Sequence, residues 1–184
     1  YRNTLTTITS TLALTINLVF SQVVINEIHY NPSGAQGSDN DYEFMELYNP
    51  GTADIDMSGY SFNGNNPVTH VFADGTTLAA GAYLLVCKNA SFYQGPPQNA
   101  GVDTVTWTSG SLSNGGEDIE IVDAGGNVVD FVDYEDGTND YGDWGTSHDG
   151  GGPSLELIDA TSDNSLAASW QSSWVPNGTP GAVS

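Results

Sequence analysis

With 184 residues the chain has the length of one domain, or of one domain with a tail. Arg2 and Lys88 are its only basic residues besides histidine, against 23 Asp and Glu, and a net charge of −21 excludes a binder of nucleic-acid phosphates or of an anionic bilayer. A hydrophobic content of 38% is enough for a real core, while the single cysteine, Cys87, excludes an internal disulfide and any cysteine-based zinc site.

The chain opens on Arg2 and an acid-free stretch reaching Gln22, with an apolar centre between Leu12 and Phe20. A cationic start, an apolar middle and a small residue near the end describe a secretory signal peptide, assigned here to residues 1–22. Thr15 and Asn17 interrupt the apolar centre, which is too short for a membrane span of ~20 residues. The expected localisation is therefore secreted or cell-surface.

From Val23 the pattern is strand, turn, strand. Residues 23–30 are rich in β-branched side chains and stop at Asn31-Pro32. In residues 42–48 Glu43, Met45 and Leu47 alternate with Phe44, Glu46 and Tyr48, and Asn49-Pro50-Gly51 ends the run. Short runs follow at 59–62 and 70–72. Residues 82–88 are almost continuously apolar, as a central or sandwich-core strand requires. Further runs cover 102–108, 118–123, 127–134 and 154–158, with Ala124-Gly125-Gly126-Asn127 as a tight hairpin connection. About nine strands at roughly 8–12-residue spacing predict an all-β sandwich or barrel. Helix is expected only as a short turn within 164–170. The sandwich is assigned to residues 23–160, and 161–184 to a C-terminal segment that packs on it or leads into a linker.

Five phrases in order carry a family resemblance. They are Val24-Ile25-Asn26-Glu27-Ile28, Glu43-Phe44-Met45-Glu46-Leu47-Tyr48-Asn49-Pro50, Asp56-Met57-Ser58-Gly59-Tyr60-Ser61-Phe62, the run from Phe72 to Val86, and the run from Leu112 to Asp130. Together they resemble a lamin-tail domain over residues 23–134. Gly150-Gly151-Gly152-Pro153-Ser154-Leu155-Glu156-Leu157 and Gly178-Thr179-Pro180-Gly181 are similar to the tail of its secreted bacterial members. The resemblance implies an immunoglobulin-like β-sandwich without a catalytic centre, with neighbouring domains in a larger protein. A nuclear or DNA-linked role is not carried over to a chain with so few basic residues.

The residues themselves offer no enzyme signature. His29, His70 and His148 form no HExxH or His-x-His pattern, and no Gly-x-Ser-x-Gly elbow is present. His29, at a strand end, reads as a surface or capping residue. Glu43 and Glu46, three apart on a strand, face opposite sides and cannot flank one glycosidic bond. Calcium is the candidate ion, because it takes carboxylate and carbonyl oxygens at several points of a loop. Asp39, Asp41 and Glu43 form one candidate set, and the acids between Asp133 and Asp149 form another; the rival reading is a solvated acidic rim. Trp107 reads as core, Trp144 as an exposed aromatic able to stack on a sugar, and Trp170 and Trp174 as pins for the C-terminal segment. The expected function is a secreted, non-catalytic module for attachment or assembly within a larger extracellular protein, its partner a protein or a cell-surface polysaccharide. The alternatives are a calcium-dependent carbohydrate-binding module and the accessory domain of an enzyme whose catalytic domain lies outside this chain.

Overall fold

The computed structural model describes residues 22–63, 68–95, 98 and 101–182; the expected signal peptide falls almost wholly outside them. Its framework is a six-stranded sheet facing a three-stranded one. The large sheet contains β1 (Val24–His29), β2 (Phe44–Tyr48), β6 (Tyr83–Cys87), β7 (Asp103–Thr106), β12 (Leu155–Leu157) and β13 (Trp170–Ser172), in the spatial order β13-β12-β1-β2-β6-β7. The small sheet is β4 (Ser61–Asn63), β8 (Glu117–Val122) and β9 (Val128–Tyr134). Two further pairs, β3 (Ile55–Asp56) with β5 (Thr77–Leu78) and β10 (Thr138–Asn139) with β11 (Gly142–Asp143), complete the strands. The described chain is 8% helical. All pairings are antiparallel except β6 with β7, which the chain reaches by a crossover through helix α2 (Ala90–Gln94).

Alternation along each strand builds the core. Ile25, Ile28, Met45, Leu47, Leu84, Val86, Leu155 and Leu157 point from the large sheet towards Phe62, Ile119, Ile121, Val132 and Tyr134 of the small one. A polar staple joins the layers: Asp130 Oδ2, on β9, accepts from the Ile25 amide at 2.6 Å and from Asn164 Nδ2 at 2.8 Å. Burial pushes its carboxyl up to about 6 while those donors pull it down. The β8–β9 turn is closed by Asp123 Oδ1, which accepts from the Gly125 and Asn127 amides, with Gly126 at φ +81°.

The strand count differs from the sequence expectation. Residues 70–72 form no strand, only an isolated bridge from Val71 to Ser61, and β3, β5, β10, β11 and β13 are short pairings without an alternating pattern of their own. Between 164 and 170 there is one 3-10 turn, Ala167–Ser169. The two α-turns lie elsewhere, at α1 (Asp39–Tyr42), whose N-cap is Ser38, and at α2, whose N-cap is Asn89.

Candidate functional site

The face of the large sheet turned away from the core is where chemistry collects. A register shift between Ile25 and Glu27 puts an extra residue into β1, and Asn26 then bonds Glu46, the cross-strand partner of Glu27, on this outer face. Glu27 is also paired in register with Glu156 of β12, so Glu156, Glu27 and Glu46 stand in a row across three neighbouring strands. None is more than 1% exposed.

The row is roofed by residues 176–182. The Thr179 amide donates to Glu27 Oε1 at 2.9 Å, the Thr179 hydroxyl to Glu156 Oε1 at 2.6 Å, and the Gly181 amide to Glu46 Oε2 at 2.5 Å. From the sheet itself, Ser154 Oγ donates to Glu27 Oε1 at 2.5 Å and Asn26 Nδ2 to Glu46 Oε1 at 3.0 Å. Glu156 Oε2 is buried with no hydrogen-bond partner. Gly178, at φ +75°, passes so close that a methyl group there would overlap Glu27 Oε1. Desolvation first, and then the neighbouring carboxylates, raise the Glu27 and Glu46 carboxyls, Glu46 to about 7; burial also raises Glu156.

Beside the roofed row the same face opens into a groove of about 500 Å³. Tyr48 and Tyr83 lie opposite each other in register on β2 and β6, with ring centroids 4.5 Å apart and planes 20° apart. Asn26, Pro50, Leu157, Ile158, Asp159, Ala160 and Thr161 line the rest, and Ile158 is 51% exposed. Burial, then Tyr48 and Glu46, pushes the Tyr83 hydroxyl up to about 12, so that ring is a neutral hydrogen-bonding group. Asn26 belongs to both regions, lining the groove while bonding Glu46.

The residues singled out in the sequence are dispersed. Asp39 and Asp41 are half-buried on α1, and Asp41 Oδ1 accepts from Asn89 Nδ2 at 2.8 Å. Glu43 is 1% exposed and turned inward: its Oε2 accepts from the Leu112 amide at 3.1 Å and lies 3.5 Å from Lys88 Nζ. Burial raises Glu43 to about 7, against the pull of Leu112 and Lys88. Among the described residues no three His, Cys, Asp or Glu side chains are gathered closely enough to hold a metal ion.

Trp144 corrects the sequence reading. It is 6% exposed, its Nε1 donates to Asn139 Oδ1 at 3.0 Å, and its ring packs on Trp170, so it offers no open face to a sugar. The exposed tryptophan is Trp174, at 86%. His29 is likewise no surface residue. It is fully buried, with Nδ1 3.0 Å from the Tyr42 carbonyl and Nε2 3.2 Å from the Gly152 carbonyl. His148 is also buried, between the Tyr30 hydroxyl at 2.7 Å and the Trp144 carbonyl at 2.8 Å, so these two histidines are spent on packing.

Reading the sequence missed the glutamate row and the tyrosine groove. One signal was available: Glu27, Glu46 and Glu156 each sit inside a strongly apolar run, where an exposed strand face is not expected. The family model of the lamin tail domain matches residues 19–136. No curated protein matches the chain.

Proposed function

Because the chain belongs to the lamin tail domain family, a non-catalytic class of immunoglobulin-like β-sandwich, we propose that it is a secreted attachment module of a larger extracellular protein and that the Tyr48–Tyr83 groove is its contact surface. The observation that carries this reading is the stacked tyrosine pair in an open groove, on a sheet face that is otherwise covered. Two stacked phenol rings beside the Asn26 amide, Thr161 and the Asp159 carboxylate suit a ligand with apolar ring faces and hydroxyl edges. The net charge of −21 repels polyanions, which favours a neutral polysaccharide over an acidic one.

The test is a glycan array read with the intact chain and with Tyr48→Ala and Tyr83→Ala. Retention of the chain by neutral polysaccharides, weakened about tenfold by either substitution, is the expected result. Retention that both variants keep in full sinks the assignment of the groove, and no retention by any neutral glycan sinks the ligand class. Calcium held at Asp39 and Asp41, with Glu43 committed to Leu112 and Lys88, is proposed alongside, and running the array with and without calcium separates the two parts.

A further inference from the structure

The glutamate row is built at a cost that the proposed attachment role does not call for. Three carboxyl groups stand side by side, each no more than 1% exposed. Their contacts supply five donors, from Ser154, Asn26, the Thr179 amide, the Thr179 hydroxyl and the Gly181 amide. Three of the five come from residues 176–182. None is given to Glu156 Oε2, which is buried and unpartnered. A buried carboxylate oxygen without a donor is costly when charged, and three adjacent charges also repel one another.

Nothing nearby offsets that charge. Beyond Glu27 on β1 lies His29, held between two carbonyl groups. From β6 come Leu85, opposite Glu46, and Tyr83. α2 contributes Tyr93, whose hydroxyl donates to the Tyr42 carbonyl, and β13 contributes Gln171 opposite Glu156. Residues 176–182 contain no titratable side chain. Lys88 is engaged by Glu43 and Ser111, and among the described residues no cation contacts the row.

We propose that residues 176–182 form a proton-controlled strap, which stays on the row while Glu27, Glu46 and Glu156 together hold at least one proton and lifts off when all three are ionised. The donors the strap brings serve part of the row, and a retained proton keeps the charge below what those donors can hold. Without it, water is the better solvent for three carboxylates than two amides and one hydroxyl. The fit is specific to this segment, since Gly178 leaves no space for a side chain over Glu27. The strap's other ties are few: the Asn177 amide donates to the Gly152 carbonyl at 3.0 Å and Gln36 Nε2 to Asn177 Oδ1 at 2.5 Å. Lifting also frees Glu46 from the strap, and through Asn26 it reaches the wall of the tyrosine groove.

The test follows backbone amide resonances of the intact chain as pH rises. The Thr179 and Gly181 amides are expected to leave their bound positions together between about pH 6 and about pH 9, while the Ile121 and Val132 amides of the small sheet stay in place. Glu156→Gln removes one charge and supplies a donor, and should move the strap midpoint up by about one pH unit or more. Strap amides that hold their positions to about pH 9, that move only together with Ile121 and Val132, or whose midpoint ignores Glu156→Gln overturn the proposal. Should Glu156→Gln fail to fold, Thr179→Val serves instead. Loss of its hydroxyl should lower the midpoint, and an unchanged midpoint again overturns the proposal.

Discussion

The two faces of the large sheet solve opposite problems with neighbouring residues of the same strands. On β2, Met45 and Leu47 face the small sheet, while Phe44, Glu46 and Tyr48 face away from it. The inner face is closed by a second sheet and gains stability from apolar area removed from water. The outer face is closed piecemeal. Tyr93 of α2 covers Phe44, Leu85 and Cys87, residues 176–182 cover the glutamates, and the tyrosine pair stays open. Burial alone therefore does not mark a core. Glu46 and Leu47 are both 0% exposed, yet one is stabilised by exclusion of water and the other carries a desolvation cost.

The sharpest way to break this comparison is to substitute those two neighbours. Leu47→Ala should cost about 2–5 kcal/mol of stability, read by chemical denaturation, because it opens a cavity between two sheets that cannot collapse onto it. Glu46→Gln at about pH 8 should be neutral to within about 1 kcal/mol or stabilising, because it removes a buried charge and keeps an acceptor for Gly181. Equal losses in the two variants would mean that the outer face is an ordinary part of the core.

An intermediate effect is expected from pH. Glu46 lies at about 7 against an ordinary 4.5, so its contribution is fully present below the ordinary value and is lost as pH rises through about 7. Glu27, Glu156 and Glu43 are raised by burial and act in the same direction. His29 and His148 oppose them on the acid side. Burial holds both below 6.5, so their contribution is present above that value and lost as pH falls through the lowered one. Denaturation midpoints should thus peak in mild acid and fall by an amount worth about 1–3 kcal/mol towards pH ~9, with a smaller fall in Glu46→Gln. A flat profile from pH ~5 to pH ~9 would show that the outer carboxyls are solvated.

The smallest effect concerns calcium. Glu43 is already committed to Leu112 and Lys88, leaving Asp39 and Asp41 as the freer carboxylates of that set. About 2 mM calcium should raise the melting temperature by one or two degrees over a sodium control of matched ionic strength. Asp39→Asn with Asp41→Asn should abolish the difference, and identical curves for the unsubstituted chain would leave these acids as solubilising charge.

Much of this architecture was legible in the chain. The alternation of β2, the apolar run of β6, and the hairpin at Asp123–Asn127 are local patterns that physical chemistry allows in few other forms. The family resemblance over residues 23–134 agrees with the match over 19–136. The short pairs β3–β5 and β10–β11 were not legible, since two-residue strands have no period. α1 and α2 were missed because a four- or five-residue helix depends on one capping side chain, Ser38 or Asn89, more than on any periodicity.

What the sequence determined by itself was the class of fold, the excess of acid over base, and the absence of a recognisable catalytic pattern, because these rest on composition and on neighbours in the chain. Only the tertiary structure decided which acids meet. Glu27, Glu46 and Glu156 are 19 to 129 positions apart along the chain and become neighbours through antiparallel register and one bulge at Asn26. The same holds for Trp144, whose acidic neighbours suggested exposure until packing on Trp170 buried it. A side chain's identity is written locally, but its dielectric surroundings are set by segments far along the chain, and those surroundings separate a solvated rim from a buried row of acids.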